Sequence, residues 1–255
     1  MRLKIIIAAY DCEKWIKNNI TELIKQKHKD WDAVVIDDCS TDSTPKIIKS
    51  LIKGHDNIQA IYNKERIGAL KNQVIGIETL KPEDEDVIVI IDGDDWLAND
   101  GVFTILEDAY KDPNVWMTYG NYLVWPLNRK GTVCKPIPEN HNPRLGRWLF
   151  SHLRTFKYFL FKNLSRSDFR FTGTDTFYTS TGDCAVMKPL AEMAGPKHII
   201  FIDKILLIYN FANPLGDGIV NKSIQAQCGK DISEKEPYTL KTKDELLRKE
   251  HEAFS

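Results

Sequence analysis

Paired cysteines, long apolar runs, a large net charge and a glycine-rich first turn are all missing from this 255-residue chain, and each absence argues against a class of protein. The five cysteines, Cys12, Cys39, Cys134, Cys184 and Cys228, are scattered and contain no C-x-x-C pair. That argues against a disulfide framework or zinc site and for reduced thiols in a cytoplasmic protein. No run reaches the roughly 18 apolar residues that span a membrane, and the apolar start from Leu3 to Ile7 meets Asp11 too early for a secretory leader. The sequence therefore predicts no transmembrane segment. With 35 basic and 36 acidic residues the formal charge is -1, so no global field favours nucleic acid as a partner. After the first apolar run the chain reads Ala8-Ala9-Tyr10-Asp11-Cys12 where a dinucleotide-binding fold would need G-x-G-x-x-G. A nicotinamide or flavin role is excluded on that ground.

What is present is a core and an order of elements. A hydrophobic content of 42% suffices for one large domain, or a domain with an appendage. Leu3 to Ala9, Ala33 to Asp37, Asn57 to Tyr62 and Val87 to Ile91 are short runs rich in Ile and Val, as buried parallel strands are. Between them, Trp15, Ile16, Ile20, Leu23 and Ile24 fall at helical spacing. Thr44-Pro45 opens a second helix that stops near Gly54, Ala69 to Leu80 forms a third, and a fourth runs from Asp100 to about Lys111. This β-α-β-α order predicts an α/β protein with a Rossmann-like, mostly parallel sheet flanked by helices.

Asp92-Gly93-Asp94-Asp95 closes the apolar run Val87-Ile88-Val89-Ile90-Ile91. A buried strand ending in close carboxylates places acidic groups at the carboxyl edge of the sheet, where open α/β folds bind ligands. Mg²⁺ or Mn²⁺ takes oxygen ligands and is commonly held by one or two carboxylates with substrate phosphates, so a D-x-D there suits a metal-nucleotide complex. A solvated acidic turn is the plainer alternative. Neighbouring strand ends argue for the complex.

Four segments occur in order, one at each strand end: Ile5 to Asp11, Val35-Ile36-Asp37-Asp38-Cys39-Ser40-Thr41-Asp42, Asn63 to Asn72 through Arg66, Ile67 and Gly68, and Ile91 to Leu97. This pattern resembles the GT-A fold glycosyltransferases of family 2, whose nucleotide half commonly reads P-T-Y-N, V-D-D-G-S-T-D, N-x-G-x-x-x-A-x-N and L-D-x-D-D. The resemblance is close over residues 1 to 120 and weaker to about 215. It implies a single-sugar, inverting, nonprocessive transferase of glycan biosynthesis that takes a nucleotide-sugar donor, UDP-linked, with Mn²⁺ or Mg²⁺. Ala9, Tyr10, Asp38, Arg66, Asn72, Asp92 and Gly93 then fall at donor-binding positions. Tyr10 lies against the base, Asp38 accepts the uracil imide hydrogen, Asp37 orients its turn, and Arg66 offers donors to the diphosphate. Asp94 matches the direct metal ligand, Asp92 the ribose or the metal's water shell, and Asp95 a cap of the next turn. The chain departs from the pattern at Ala8-Ala9 in place of Pro-Thr and at Cys39 in place of Gly.

An acceptor half is expected over 121 to 215. Phe177 to Met187, Glu192 to Gly195 and Leu206-Leu207-Ile208-Tyr209-Asn210 resemble the family's E-D-x-x-L, glycine and P-L-x-x-Y-R segments. Asp183 is then the general base, with an N-cap of the helix Ala185 to Ala194 as its plainer role and Asp175 as a second candidate. Arg147 to Arg170 interleaves cations with aromatics and predicts an amphipathic helix covering the sheet, or else a peripheral contact with lipid headgroups or an anionic acceptor. Within it, His152-Leu153-Arg154-Thr155-Phe156 resembles a feature of one subgroup of these transferases, near the acceptor site, and His152 is open as a metal ligand with nothing in the sequence to support it. The absence of membrane helices and of Q-x-x-R-W after the base speaks against processive synthesis. The acceptor class is a glycan, glycoconjugate or protein. Residues 216 to 255 form a polar extension with a charged helix from Lys243 to Ala253. Two other classes stay open: a noncatalytic nucleotide-sugar-binding module, and a sugar nucleotidyltransferase, whose basic Gly-rich loop Ala8 to Lys14 does not provide.

Overall fold

The structure, a computed structural model, describes residues 1–216 and 222–249. Strand β1 (Leu3–Ala9) pairs in parallel with β2 (Trp31–Asp37) on one side and β4 (Val87–Asp92) on the other, and β3 (Ile58–Tyr62) extends the sheet beyond β2. These strands read as continuous Ile and Val because both faces of the sheet are covered: Ile5, Ile6, Ile7, Val34, Val35, Val89 and Ile90 are all buried. The crossovers are α1 (Ile16–Ile24), α2 (Thr44–Leu51) and α3 (Ala69–Thr79). Helix α3 rides close on the sheet because Gly76 has no side chain; a Cβ there would lie 2.7 Å from Ile6 Cγ2. The expected elements are present. Their ends differ by one to three residues: α2 ends at Leu51, its N-cap position is Ser43, and the Thr44 hydroxyl accepts the Cys12 amide.

With strand order β3-β2-β1-β4, successive crossovers leave β1 in opposite directions, so a crevice opens beyond the carboxyl ends of β1 and β4. That crevice receives Ala8, Tyr10 and the acidic run after β4.

Past β4 the sheet becomes mixed. It continues through β8 (Arg154–Lys157), β6 (Met117–Trp125), β9 (Ile199–Asn210) and the two-residue β5 (Trp96–Leu97), with β7 (Arg129–Lys130) paired to β6. Helix α4 (Val102–Tyr110) links β5 to β6. The short α5 (Tyr158–Phe161) and the longer α6 (Gly182–Ala194) cover this half.

The predicted helix over 147 to 170 does not form. Instead Arg154–Lys157 inserts antiparallel between β4 and β6, followed by α5 and a 3-10 turn at Arg166–Phe169. The aromatics do pack inward, with Phe156, Phe159, Phe161 and Phe169 fully buried. Three of its cations are matched by carboxylates of the chain: Lys157 meets Glu85 at 3.0 Å, Lys162 meets Asp84 at 2.7 Å and Arg170 meets Asp175 at 2.9 Å. Helical spacing was a poor guide here because burial on both sides of a strand gives an equally dense apolar run.

The segment after residue 216 packs onto this second half of the chain through α7 (Lys222–Glu234) and α8 (Lys243–Arg248). Cys228, Ile232 and Leu246 join the main core, and buried Arg144 binds both Glu192 and the Ile232 carbonyl. The terminal helix, expected to reach Ala253, is capped at Thr242 with Glu245 in a reciprocal pair; positions 250–255 lie outside the described residues. All five cysteines are free thiols. No helix among the described residues is long and apolar enough to cross a membrane.

Candidate active site

The loops that end β1 and β2 are tied to one another before any ligand is considered. Asp11 accepts the Thr41 amide at 2.7 Å while its own amide donates to Ser40, and the Ser43 amide donates to Glu13. Cys39 sits between them with φ 62°, in the left-handed region where a Cβ is disfavoured. The family's glycine at that position has this conformational reason.

Asp38 is buried and does not line the cavity. Its carboxylate accepts the amides of Ile67 and Gly68, each at 2.9 Å, and the Asn63 side chain at 3.0 Å. Burial alone would raise this carboxyl. The Ile67 amide and its companions outweigh that and hold it below the ordinary aspartate range. Asn72 is fully buried and accepts the same Asn63 amide, so it braces Asp38 from beneath. Ala9 is likewise buried outside the cavity, its carbonyl taken by the Asp38 amide, whereas Ala8 lines the wall. Tyr10 and Arg66 both face the cavity and face each other: the guanidinium lies 3.8 Å above the ring centre.

The acidic run is anchored from two sides. Gly93 is tucked under the end of β1, where a Cβ would lie 2.8 Å from Ala9 Cα, and its amide donates to the Ala8 carbonyl. Asn19 on α1 donates to the carbonyls of Asp92 and Asp95 at 3.1 and 2.7 Å. These contacts turn the three carboxylates in different directions. Asp92 reaches the cavity, Asp94 accepts from Asn213 at 2.7 Å, and Asp95 points inward to accept the Asn210 amide at 2.8 Å. Burial, with Asp92 adding to it, pushes the Asp94 carboxyl up to about 6, and burial beside Asp94 and Asp92 also raises Asp95 well above the ordinary aspartate range. Asp95 is therefore no surface turn cap.

Asp183 lies across the same cavity at the start of α6. The helix opens at Gly182, after Thr181 in a left-handed turn, so Asp183 belongs to the first turn and is not the N-cap. One of its oxygens accepts the Cys184 amide at 2.9 Å. The other faces Arg154, whose guanidinium spans 3.3 Å to Asp183 and 3.3 Å to Asp92. Burial works against that cation, but Asp92, Asp183 and Asp95 more than offset it and keep it charged. Asp175 stands 99% exposed on its own loop, paired with Arg170, and is not part of this cavity.

Arg154, His152, Asn210 and Asn213 line the cavity and were not assigned to it by sequence. Asn210 closes the segment matched to the family's P-L-x-x-Y-R and the segment His152 to Phe156 was placed near the acceptor site, but no residue of either was given a role there, and Asn213 carried no sign at all. The cavity of about 360 Å³ therefore joins Tyr10, Arg66, Asp92, Gly93, Asp94 and Asp183 from opposite halves of the chain, with a fixed guanidinium between two carboxylates.

A parallel α/β half whose strand-end acidic run faces Asp183 at the start of α6 across one crevice is the arrangement of GT-A folds. The family model for glycosyl transferase family 2 matches residues 4–166, and the chain belongs to that family. Among curated relatives, glycosyltransferase GlyG of Streptococcus pneumoniae is 24% identical over 221 residues, covering 81% of this chain and 70% of that one. An "Uncharacterized glycosyltransferase" of Haemophilus influenzae is 28% identical over 120 residues, with the match spanning 47% of this chain and 46% of the relative. In fold the chain is similar to Staphylococcus aureus TarS, with a TM-score of 0.65 and 19% identity over 84% of this chain and 37% of TarS. A shorter TarS was solved with UDP-GlcNAc (TM-score 0.64, 18% identity, 87% of this chain and 61% of that one). The mannosyltransferase PcManGT of Pyrobaculum calidifontis, with GDP-Man and Mn²⁺, is more distant at a TM-score of 0.53 and 18% identity over 89% and 59%.

Proposed function

We propose that this chain transfers one sugar from a nucleotide diphosphate donor, UDP-linked, to an acceptor hydroxyl of a glycan or glycoconjugate, with inversion. The observation that carries this reading is the shared cavity in which Asp183 faces the acidic run after β4. Inversion needs one carboxylate to take the acceptor proton from the face opposite the leaving diphosphate, and Asp183 stands apart from the donor-side carboxylates. UDP as donor is supported by the TarS complex, and GDP, as in PcManGT, is the rival. We retain residues 1–120 as the donor half and 121–215 as the acceptor half.

A divalent cation, Mn²⁺ or Mg²⁺, fits the acidic run because Asp95 Oδ2 is buried without a hydrogen-bond partner and the cluster carries more carboxylates than cations. When bound, such an ion would neutralise charge on the departing diphosphate. Tyr10 receives the base by stacking, and Arg66, now over one face of that ring, offers its guanidinium to the phosphates in the same cavity. Asp38 uses three of its roughly four acceptor directions on the chain, so its main work is to set the 67–68 backbone beside Arg66.

The test is a thermal-shift comparison of UDP, GDP and CDP with and without Mn²⁺, followed by donor hydrolysis and transfer assays on UDP-sugars. A ligand at 100 times its Kd stabilises by about 2.7 kcal/mol. Stronger stabilisation by GDP than by UDP would move the donor class, and binding without hydrolysis or transfer would leave a noncatalytic binding module.

A further inference from the structure

Arg154 is a cation that the fold, and no local motif, brings to the cavity. It opens β8 opposite Ile90 of β4, so it stands at the carboxyl edge of the sheet next to Asp92. It is 5% exposed and lines the cavity wall. One terminal nitrogen faces Asp183 and the other faces Asp92, each at 3.3 Å. A charge-assisted bond that is free to close settles at about 2.7 to 2.9 Å. The guanidinium is therefore shared between two carboxylates and docked fully on neither.

The two carboxylates depend on it unequally. Asp92 is the last residue of β4, its backbone paired with Ala8 of β1 and its carbonyl held by Asn19. Its place is set with or without Arg154. Asp183 sits in the first turn of α6, behind the left-handed Thr181, with its side chain 29% exposed. Its remaining tie is to Cys184, the next residue, which moves with it. A carboxylate tied to its own turn can swing between staggered rotamers, whereas a guanidinium rooted in the sheet holds it to one. Arginine keeps its charge at any working pH and gives up no proton, so its part is to fix the carboxylate while Asp183 moves the proton.

We propose that Arg154 is the positioning residue of the base: it holds the Asp183 carboxylate at a fixed reach from the donor wall and leaves lone pairs open to the acceptor hydroxyl. The assignment rests on the reading of Asp183 given under Proposed function and names the residue through which the donor half sets the base. In that reaction the acceptor oxygen bonds to the anomeric carbon, its proton passes to Asp183, and the diphosphate leaves with the bonding pair; Arg154 exchanges neither proton nor electrons. Base, acceptor oxygen and anomeric carbon must lie in register, and a displacement of about 1 Å costs about 10²-fold in rate.

The turnover probe is the UDP- or GDP-sugar that the parent protein hydrolyses fastest, starting with UDP-GlcNAc, and the binding probe is the matching nucleotide diphosphate. Arg154→Met should lower kcat about 10- to 100-fold while changing nucleotide affinity less than about threefold. Arg154→Lys, which keeps the charge without the fork, should fall between Arg154→Met and the parent. A double-mutant cycle with Asp183→Asn gives a readout that a merely structural role does not move. If Arg154 acts through Asp183, adding Arg154→Met to Asp183→Asn should cost less than about threefold more in kcat. Melting temperatures check that each variant folds. Parental kcat in a folded Arg154→Met, a loss confined to nucleotide affinity, losses that multiply in the double variant, or failure of Arg154→Lys as well as Arg154→Met to fold overturns the proposal. A parent protein that binds nucleotide and hydrolyses no donor removes the enzymatic reading itself, whereas an active parent with an equally active Arg154→Met removes this assignment alone.

Discussion

The two walls of the cavity are held in place by different means. On the donor side, nearly every site residue is fixed by partners from neighbouring loops: Asp38 by Asn63, Ile67 and Gly68, and Asp11 by Ser40 and Thr41. On the acceptor side, Asp183 has one local partner, the Cys184 amide, and one distant partner, Arg154, which reaches back to Asp92. The donor wall is therefore set by backbone hydrogen bonds among strand-end loops. The acceptor wall is set by one buried charge that belongs to neither motif.

Asp183→Asn gives the largest expected effect and separates the walls by function. Asparagine still accepts the Cys184 amide, so the helix start survives, while loss of a positioned base should lower transfer by about 10² to 10⁴. UDP affinity, read by calorimetry, should stay within a factor of two or so of the parent. Transfer at near-parental rate would place the base elsewhere.

Arg154→Met attacks the link between the walls. It leaves Asp92, Asp95 and Asp183 without their shared cation, and because Asp92 and Asp183 are partly exposed the loss should be about 2 to 3 kcal/mol in urea unfolding. Arg154→Lys should recover only part of it, since an ammonium cannot span both carboxylates as the planar guanidinium does. A loss below about 0.5 kcal/mol would mean that the acceptor wall stands without this cation.

Asp38→Asn probes the donor wall alone, and about 1.5 kcal/mol of stability should go with the charge-assisted bonds to Ile67 and Gly68. Its pH dependence has a definite sign. The Asp38 carboxyl is lowered in the folded chain, so its contribution is full above the ordinary aspartate value of 3.8 and fades as pH falls through the folded value. The gap between parent and variant unfolding free energies should thus be wide at pH 7 and narrow towards pH 3; a gap that does not depend on pH would remove the charge from the explanation.

Cys39→Gly is the smallest perturbation and acts on backbone strain only. Relief of a left-handed residue, less the added freedom of glycine in the unfolded chain, should stabilise by about 0.5 kcal/mol, seen as a slightly higher melting temperature. Destabilisation would mean that the thiol's contact with the Lys64 carbonyl at 3.5 Å outweighs the strain.

The same contrast explains how far the sequence could be read. Four strands and three crossover helices of the donor half were legible because parallel strands buried on both faces must be apolar throughout and because each ends in a short motif. The segment from Arg147 to Arg170 was misread as a helix, since the same density of aromatics serves a strand inserted between β4 and β6. Asp175 was a second candidate behind Asp183 in sequence, since both lie in one polar segment; the structure leaves it exposed and outside the cavity.

By itself the sequence determined the order of elements as far as α4, the family and the carboxylates at the end of β4, because strand periodicity and strand-end motifs act over fewer than about ten residues. Only the tertiary structure decided which carboxylate turns inward and that Arg154 lies between Asp92 and Asp183. Those relations depend on where β8 enters the sheet and on burial that removes water from the charges, and neither is written in the local pattern of residues.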